Sequence, residues 1–302
     1  MTNAQNRIIE EGDKVIITIG DSFVEGQGAY DDGEWEKLNW LEPHDQEVIA
    51  TFTDMEHKNS WPAQLRDNHL QDYNIINLGG RGKGNRFAVK TLTTFSPHLK
   101  YEKASELTIV FNITQWCRYE FVAPNFDSYF NRIFETIWPH VPGDDSPAGH
   151  KELWTGFGTA IFNNKSTTLE FISTLVELQN FCKVHNANLV VINQMEDLAY
   201  KTLMQENITK DSHPDIYNRQ SKIIEQVDFS LWMYGEENRT LIDELLILNG
   251  NLDDRLEKEY GWYGNYIGKE NKYFTPCSHP TKYGHKLLAE IIYKHLVQKK
   301  YV

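Results

Sequence analysis

The sequence contains few cysteines and no paired cysteine motif. Only Cys117, Cys182 and Cys277 occur among its 302 residues. An odd count without a Cys-x-x-Cys spacing argues against a disulfide framework and against a structural zinc site. We therefore expect a fold that is held by an apolar core and requires neither a metal nor a cofactor.

Long apolar runs are also missing. No stretch approaches the ~20 apolar residues that a membrane-spanning helix needs. The first residues, MTNAQNRIIEEGDK, contain no apolar run behind a basic start, so we expect no secretory signal. These absences predict a protein of the cytoplasm, or one released by another route.

Basic residues are fewer than acidic residues. Lysine and arginine number 30 against 43 acidic residues, which gives a net charge of −13. Binding to nucleic acid requires a concentrated basic surface, and anionic membranes attract basic surfaces in the same way. The charge balance therefore argues against both as partners and favours solubility.

What the sequence does contain is a series of short apolar runs between longer helical patterns. Four runs rich in Val and Ile predict parallel strands buried on both faces: KVIITIG (14–20), YNIINLG (73–79), ELTIVFN (106–112) and ANLVVINQ (187–194). Three segments with near-helical apolar spacing predict helices: 61–70, 167–185 and 284–299. Strands that alternate with helices predict an α/β fold, a three-layer α/β/α sandwich around a mostly parallel sheet.

The chain shows no internal repeat and no low-complexity segment, so we expect a single domain over 1–302. Three regions fit the alternation poorly and are interpreted as insertions, at about 29–58, 120–165 and 200–275. Within the last, DELLILNG (243–250) is compatible with a helix end or with a fifth strand. The insertions could form a lid or a docking surface for protein partners.

The first predicted strand runs directly into Gly20-Asp21-Ser22. At the carboxyl end of a parallel strand, Ser22 would face the crevice in which open α/β sheets bind ligands. A serine attacks only when a base accepts its proton and donors stabilise the oxyanion. Asp21 is interpreted as fixing the turn through local hydrogen bonds rather than as an acid.

His279 is the leading candidate for the base. It lies in a Ser-His-Pro turn before the last helix, which is a rigid way to present an imidazole. A second Ser-His-Pro, around His213, lacks the following glycine and helix and ranks lower. His285, at the start of that last helix, is interpreted as a capping or surface residue.

The segment INLGGRGKGN (76–85) follows the second predicted strand and contains four glycines. Such a loop can direct backbone N–H groups at an anion. It matches neither the dinucleotide nor the Walker phosphate-binding pattern. The alternative interpretation is a flexible turn with Arg81, Lys83 and Arg86 in solvent.

Together these motifs resemble those of the SGNH, or GDSL-type, hydrolases. The resemblance is carried by GDSF (20–23), NLGGRG (77–82), FNIT (111–114) and SHPTKYGH (278–285), which occur in the family's order. It implies a flavodoxin-like sheet, with Ser22 as nucleophile and His279 as general base. It also implies an oxyanion hole formed by the Ser22 amide, Gly82 and Asn112.

The sequence departs from the family pattern at two places. In the third block, Asn112 could take the family's Asn place, or it could take the Gly place so that Thr114 takes the Asn place. The triad acid normally stands three residues before the histidine, where this chain has Pro276. A carboxylate from a distant loop could substitute, with Asp253, Asp254 and Glu270 as candidates that the sequence does not rank. Otherwise a backbone carbonyl holds the ring, or the site is weakened.

The resemblance implies an esterase acting on a small ester or on an acylated carbohydrate, such as an O-acetyl sugar. The alternative is an SGNH-like protein without activity that serves as a structural or binding module. Similar proteins also occur in tailed-phage genomes, so a virion component is one form of that alternative. Nucleotide binding through the glycine loop is disfavoured because the motif is missing.

Overall fold

The structure is a computed structural model of the 302-residue chain. It describes residues 9–30, 46–81, 83–94, 96–114, 119–122, 134–137, 164–194, 221–234, 240–248, 272–275 and 279–302.

The described strands form two sheets. The strands are β1 (Lys14–Ile19), β2 (Asn74–Asn77), β3 (Glu106–Ile113), β4 (Tyr119–Val122), β5 (Phe134–Ile137) and β6 (Asn188–Asn193). Four of them form one parallel sheet in the order β2-β1-β3-β6, and β4 pairs with β5 in an antiparallel hairpin. From β1 the chain adds β2 on one side and β3 and β6 on the other, as in flavodoxin-like folds. Open α/β sheets generally bind ligands at such a switch point.

The principal α-helices accompany the strands. They are α1 (Ser22–Glu25), α2 (Gln46–Asn59), α3 (Trp61–Asn68), α4 (Asn85–Thr93), α5 (Asn164–Val184), α6 (Leu241–Leu248) and α7 (Lys282–Lys299). The four predicted strands and three predicted helices are confirmed, with ends shifted by up to three residues. Residues 243–250, left open between helix and strand, lie largely in α6.

Side chains of β1 alternate between the two faces of the sheet. Ile17 faces a core that includes Val89 of α4 and Leu175 of α5. Ile16 faces the opposite core, which includes Leu65 of α3 and Ile292 of α7. Helices therefore cover both faces, and the predicted three-layer α/β/α architecture is confirmed.

Helix α2 lies within the region 29–58 that showed little periodicity. Its buried face carries polar side chains, since Glu56 is 1% and Asn59 3% exposed. A helix whose inward face is partly polar shows no continuous apolar stripe. That is why the sequence pattern did not predict it.

None of the helices within the described residues combines the length and the apolar character needed to cross a bilayer.

Candidate active site

Ser22 lies where β1 ends, at the first residue of the short helix α1. Asp21 is the N-cap of this helix, and its Oδ1 accepts a hydrogen bond of 3.1 Å from the backbone N–H of Phe23. The side-chain oxygen thus satisfies an N–H that has no acceptor within the helix. The prediction that Asp21 fixes the turn by local hydrogen bonds is confirmed.

His279 lies in a turn that leads into α7. The turn is closed by an isolated antiparallel bridge between Phe274 and Pro280. Both the N–H and the hydroxyl of Thr275 donate to the His279 carbonyl, at 2.8 and 3.0 Å. Thr281 then caps α7 by accepting from the Gly284 N–H at 3.1 Å. The backbone of His279 is therefore fixed from both sides.

The tertiary fold brings these two residues together. Ser22 Oγ lies 2.9 Å from His279 Nε2, across a sequence separation of 257 residues. The Phe23 ring packs against the imidazole, with centroids 5.0 Å apart and planes inclined by 40°. A hydroxyl at this distance can donate to an unprotonated Nε2, which is the geometry of a nucleophile and its base.

A buried polar network lies beneath Ser22. The Asp21 side chain is fully buried. Its carboxylate accepts from the hydroxyl of Thr114 at 2.7 Å and from the amide of Gln194 at 3.4 Å. Asn85 exchanges two hydrogen bonds with the backbone of Thr114, of 2.9 and 3.2 Å. The ends of β1, β3 and β6 are thus joined directly behind the serine.

Asn112 belongs to the same network. It is fully buried near the end of β3, and its side-chain amide donates to Gln194 Oε1. Thr114, the alternative for the family's Asn place, has its hydroxyl bonded to Asp21. The roles of Asn112 and of the Ser22 amide in an oxyanion hole remain predictions, and Gly82 lies outside the described residues.

The glycine loop packs closely against the nucleophile turn. The Gly80 N–H donates to the Gly20 carbonyl at 3.1 Å. A Cβ on Gly79 would lie 2.5 Å from the backbone nitrogen of Glu25, a distance that real Cβ atoms do not reach. Glycine is required here for close approach between two loops.

Arg81, at the end of this loop, does not extend freely into solvent. Its guanidinium pairs with the carboxylates of Glu56 and Glu25. The alternative interpretation is correct that Arg81 is exposed, but its side chain is held in two ion pairs. Attraction to two carboxylates that are themselves largely buried explains why it is held.

His285 is buried, so its interpretation as a capping or surface residue is wrong. Its Nδ1 accepts from the Trp61 N–H at 3.2 Å, and its Nε2 lies 3.5 Å from the Gln27 carbonyl. Burial lowers its pKa from 6.5 to about 3. The imidazole is therefore neutral and joins α7 to α3 and to the loop after α1.

Several predicted residues lie outside the described part of the chain. These are Gly82, Pro276, the three candidate acids Asp253, Asp254 and Glu270, and His213. The identity of the group that orients the His279 ring stays at the level of the sequence prediction. Within the described ranges, no cluster of three or more His, Cys, Asp or Glu side chains could hold a metal ion.

The sequence did not predict three sets of contacts around the candidate site. They are the contact of Thr114 with Asp21, those of Gln194 with Asp21 and Asn112, and that of Glu56 with Arg81. A signal existed for the first two, because each directly follows a parallel strand, and the carboxyl ends of such strands converge at one edge. Glu56 gave no signal, because a glutamate on a helix is usually exposed.

No family model matches this chain, and no curated protein matches it. Solved structures do match. A family two carbohydrate esterase from Clostridium thermocellum in complex with cellohexaose is 12% identical, with a TM-score of 0.44, over 97% of this chain and 66% of that chain. A psychrotrophic esterase from Pseudoalteromonas, inhibited by monoethylphosphonate, is 14% identical, with a TM-score of 0.40, over 96% of this chain and all of that chain.

A member of the lipolytic G-D-S-L family from Veillonella parvula is 11% identical, with a TM-score of 0.34, over 93% of this chain and 97% of that chain. The description of the last of these proteins names the G-D-S-L family. At this level of identity the likeness concerns the fold and not the activity.

Proposed function

We propose that this protein is a serine hydrolase that cleaves a carboxylic ester, with Ser22 as nucleophile and His279 as general base. The observation that carries the proposal is the 2.9 Å separation between Ser22 Oγ and His279 Nε2. Two polar residues far apart in sequence meet at the switch point of a parallel sheet. The network behind Asp21 and the capped turn before α7 hold both of them in place.

The chemistry follows from this geometry. His279 Nε2 accepts the hydroxyl proton while Ser22 Oγ attacks the ester carbonyl. The imidazolium then returns the proton to the leaving alcohol, which leaves an acyl-enzyme. Water, deprotonated by the same nitrogen, then attacks the acyl carbon. The bond to Ser22 Oγ breaks as the imidazolium returns this proton to Oγ, which releases the carboxylic acid and the free serine.

Backbone amides would stabilise the tetrahedral oxyanion. The Ser22 amide lies at the first position of α1, where a helix N–H has no intrahelical acceptor. The Gly82 amide and the Asn112 side chain are further candidates from the sequence. The motifs that resemble SGNH hydrolases extend the proposal to substrates, namely simple short-chain esters or O-acetyl groups on a carbohydrate.

A fluorophosphonate probe tests the proposal directly, because it reacts covalently with activated serines. We expect the purified wild type to be labelled and Ser22→Ala to remain unlabelled. Ser105→Ala, which changes an exposed serine, serves as the matched control and should be labelled like the wild type. Hydrolysis of p-nitrophenyl acetate and acetate release from an acetylated oligosaccharide then compare the two substrate classes.

A folded wild type that neither reacts with the probe nor hydrolyses either substrate would contradict the proposal. That result would favour the alternative, a structural or binding protein with an SGNH-like fold. The departure at Pro276, where the family places its acid, is the sequence feature that makes this alternative worth testing.

A further inference from the structure

A cluster of charged side chains lies beside the Ser22–His279 pair and takes no direct part in the proposed chemistry. Arg81 contacts Glu56 Oε2 through Nη2 and lies 3.4 Å from Glu25 Oε2 through Nε. His57 Nε2 lies 3.7 Å from the other oxygen of Glu25. One guanidinium thus joins two carboxylates that belong to different helices.

Glu56 is the most buried member of the cluster, at 1% exposure. Its Oε1 accepts from the Tyr30 hydroxyl at 2.6 Å and from the Gly28 N–H at 3.3 Å. Its other oxygen accepts from Arg81. A buried carboxylate is tolerated only when it is paired and hydrogen-bonded, and here three donors satisfy it.

The partners of this cluster belong to the segments that carry the candidate active site. Glu25 lies three residues after Ser22 on α1. Gly28 approaches His279 so closely that a Cβ on it would lie 2.8 Å from the His279 Cβ. Arg81 itself belongs to the glycine loop. The nucleophile helix, the loop against the base and the glycine loop therefore all meet through Arg81 and Glu56.

Two members of the cluster, Glu25 and Arg81, are charged at neutral pH. Burial alone would raise the pKa of Glu25, but hydrogen bonding from His57 and the charge of Arg81 bring it below its usual value. Burial alone would lower the pKa of Arg81, but Glu56 and Glu25 bring it above its usual value. The contact between Glu25 and Arg81 is therefore ionic at neutral pH.

We infer that Arg81 and Glu56 are a pair of positioning residues for ester hydrolysis. They hold the glycine loop, through Arg81, against the helix of Ser22 and the loop that supports His279. The inference rests on the proposed function. It deepens that function by assigning roles to an arginine beside the site and to a buried glutamate on α2.

The inference predicts which kinetic constant changes. Oxyanion donors act on the tetrahedral intermediate and contribute little to binding of the ground-state ester. Without the pair, the helix that carries Ser22 and Glu25 loses this anchor and the Ser22 amide is displaced. A displacement of about 1 Å can cost about 100-fold in rate. Loss of the pair should therefore lower kcat and leave KM nearly unchanged.

The experiment compares Arg81→Gln, Arg81→Lys and Glu56→Gln with Arg86→Gln as matched control. The side chain of Arg86 is 42% exposed, as is that of Arg81. Arg86 also pairs with a glutamate, Glu170, but this ion pair joins α4 to α5. Steady-state hydrolysis of p-nitrophenyl acetate and the rate of fluorophosphonate labelling are measured for each. Thermal unfolding by circular dichroism verifies that each variant is folded.

We expect Arg81→Gln and Glu56→Gln to lower kcat by about 10- to 100-fold with KM changed less than about threefold. Arg81→Lys should recover part of the loss, because it keeps the charge but not the two-sided contact. Arg86→Gln should retain kcat within about twofold of the wild type, whatever its effect on stability.

Folded Arg81 and Glu56 variants with wild-type kcat and labelling rate would overturn the inference and leave the proposed function standing. The same holds if only KM rises. If Arg81→Gln does not fold, Arg81→Lys and Glu56→Gln decide by the same criterion. A wild type that is not labelled at all would instead overturn the proposed function and this inference with it.

Discussion

The hydroxyl oxygen of Ser22 lies 2.9 Å from Nε2 of His279, although 257 residues separate them along the chain. One of them follows the first strand of the sheet and the other precedes the last helix. Nothing in the local sequence of either residue requires the other. Their contact exists because the sheet places the end of β1 beside the turn that begins α7.

The base is the first element of this pair to test. His279→Gln removes the imidazole and should lower kcat/KM for p-nitrophenyl acetate by about 10³-fold, the usual contribution of a general base. His213→Gln alters the other Ser-His-Pro segment and should leave the rate near that of the wild type. Equal rates for both variants would contradict the assignment of the base.

Gly28 offers a test of how tightly the His279 turn is packed. Its backbone has φ +89°, and a Cβ there would lie 2.8 Å from the His279 Cβ. Gly28→Ala should therefore impose backbone strain of about 1 kcal/mol or more and also displace the imidazole, so that kcat falls.

Gly12→Ala is the control for that variant. Gly12 has nearly the same φ, +88°, but a Cβ there would have no neighbour within 4 Å. Gly12→Ala should therefore introduce only the backbone strain, so that the midpoint of urea unfolding falls while kcat is unchanged. If both variants keep full activity, the approach of Gly28 does not determine the position of His279.

The network behind Ser22 predicts that removal of a buried threonine hydroxyl lowers the free energy of unfolding more at Thr114 than at Thr18. Thr114→Val removes a hydroxyl that donates to the buried Asp21 carboxylate at 2.7 Å. We expect it to lower the free energy of unfolding by about 2 kcal/mol, since hydrogen bonds to charged groups are the stronger ones. Thr114→Ser keeps the donor and should recover most of this loss.

Thr18→Val provides the comparison with a neutral acceptor. The Thr18 hydroxyl is also buried, but it contacts the amide oxygen of Asn77 at 3.4 Å. Its removal should cost about 1 kcal/mol or less in urea unfolding. A smaller loss for Thr114→Val than for Thr18→Val would contradict the role assigned to the Asp21 contact.

Stability should depend on pH through His285. Burial lowers its pKa from 6.5 to about 3, so between these values the unfolded chain binds a proton that the folded chain does not. Its contribution to stability is complete above pH 6.5 and is lost as the pH falls toward 3. Relative to His285→Gln, the wild type should lose about 2 kcal/mol more in unfolding free energy between pH 7 and pH 5.

The matched control is His98→Gln, which alters an exposed histidine and should leave the wild-type pH dependence in place. If His285→Gln shows the same pH dependence as the wild type, the imidazole is not held in its neutral form. An NMR titration of the wild type is an independent check, because the His285 ring signal, absent from the variant, should not shift between pH 7 and pH 5.

The sequence by itself determined the layers of this protein. Runs such as 14–20 and 106–112 are rich in Val and Ile and do not alternate between apolar and polar residues, which is typical of a strand that is covered on both faces. The spacing of apolar residues in α5 and α7 indicated helices for the same local reason. Ser22 and His279 could be predicted because a strand end and a capped turn are marked by their own residues.

The tertiary structure alone decided which polar side chains meet. Burial of His285 and Glu56 depends on partners such as Trp61 and Tyr30, which belong to other segments. A histidine at a helix start or a glutamate on a helix has no local pattern that distinguishes a solvent-facing position from a buried one. Electrostatic pairing and burial are properties of juxtaposed surfaces, and only the packing of α2, α3 and α7 around the end of β1 creates them.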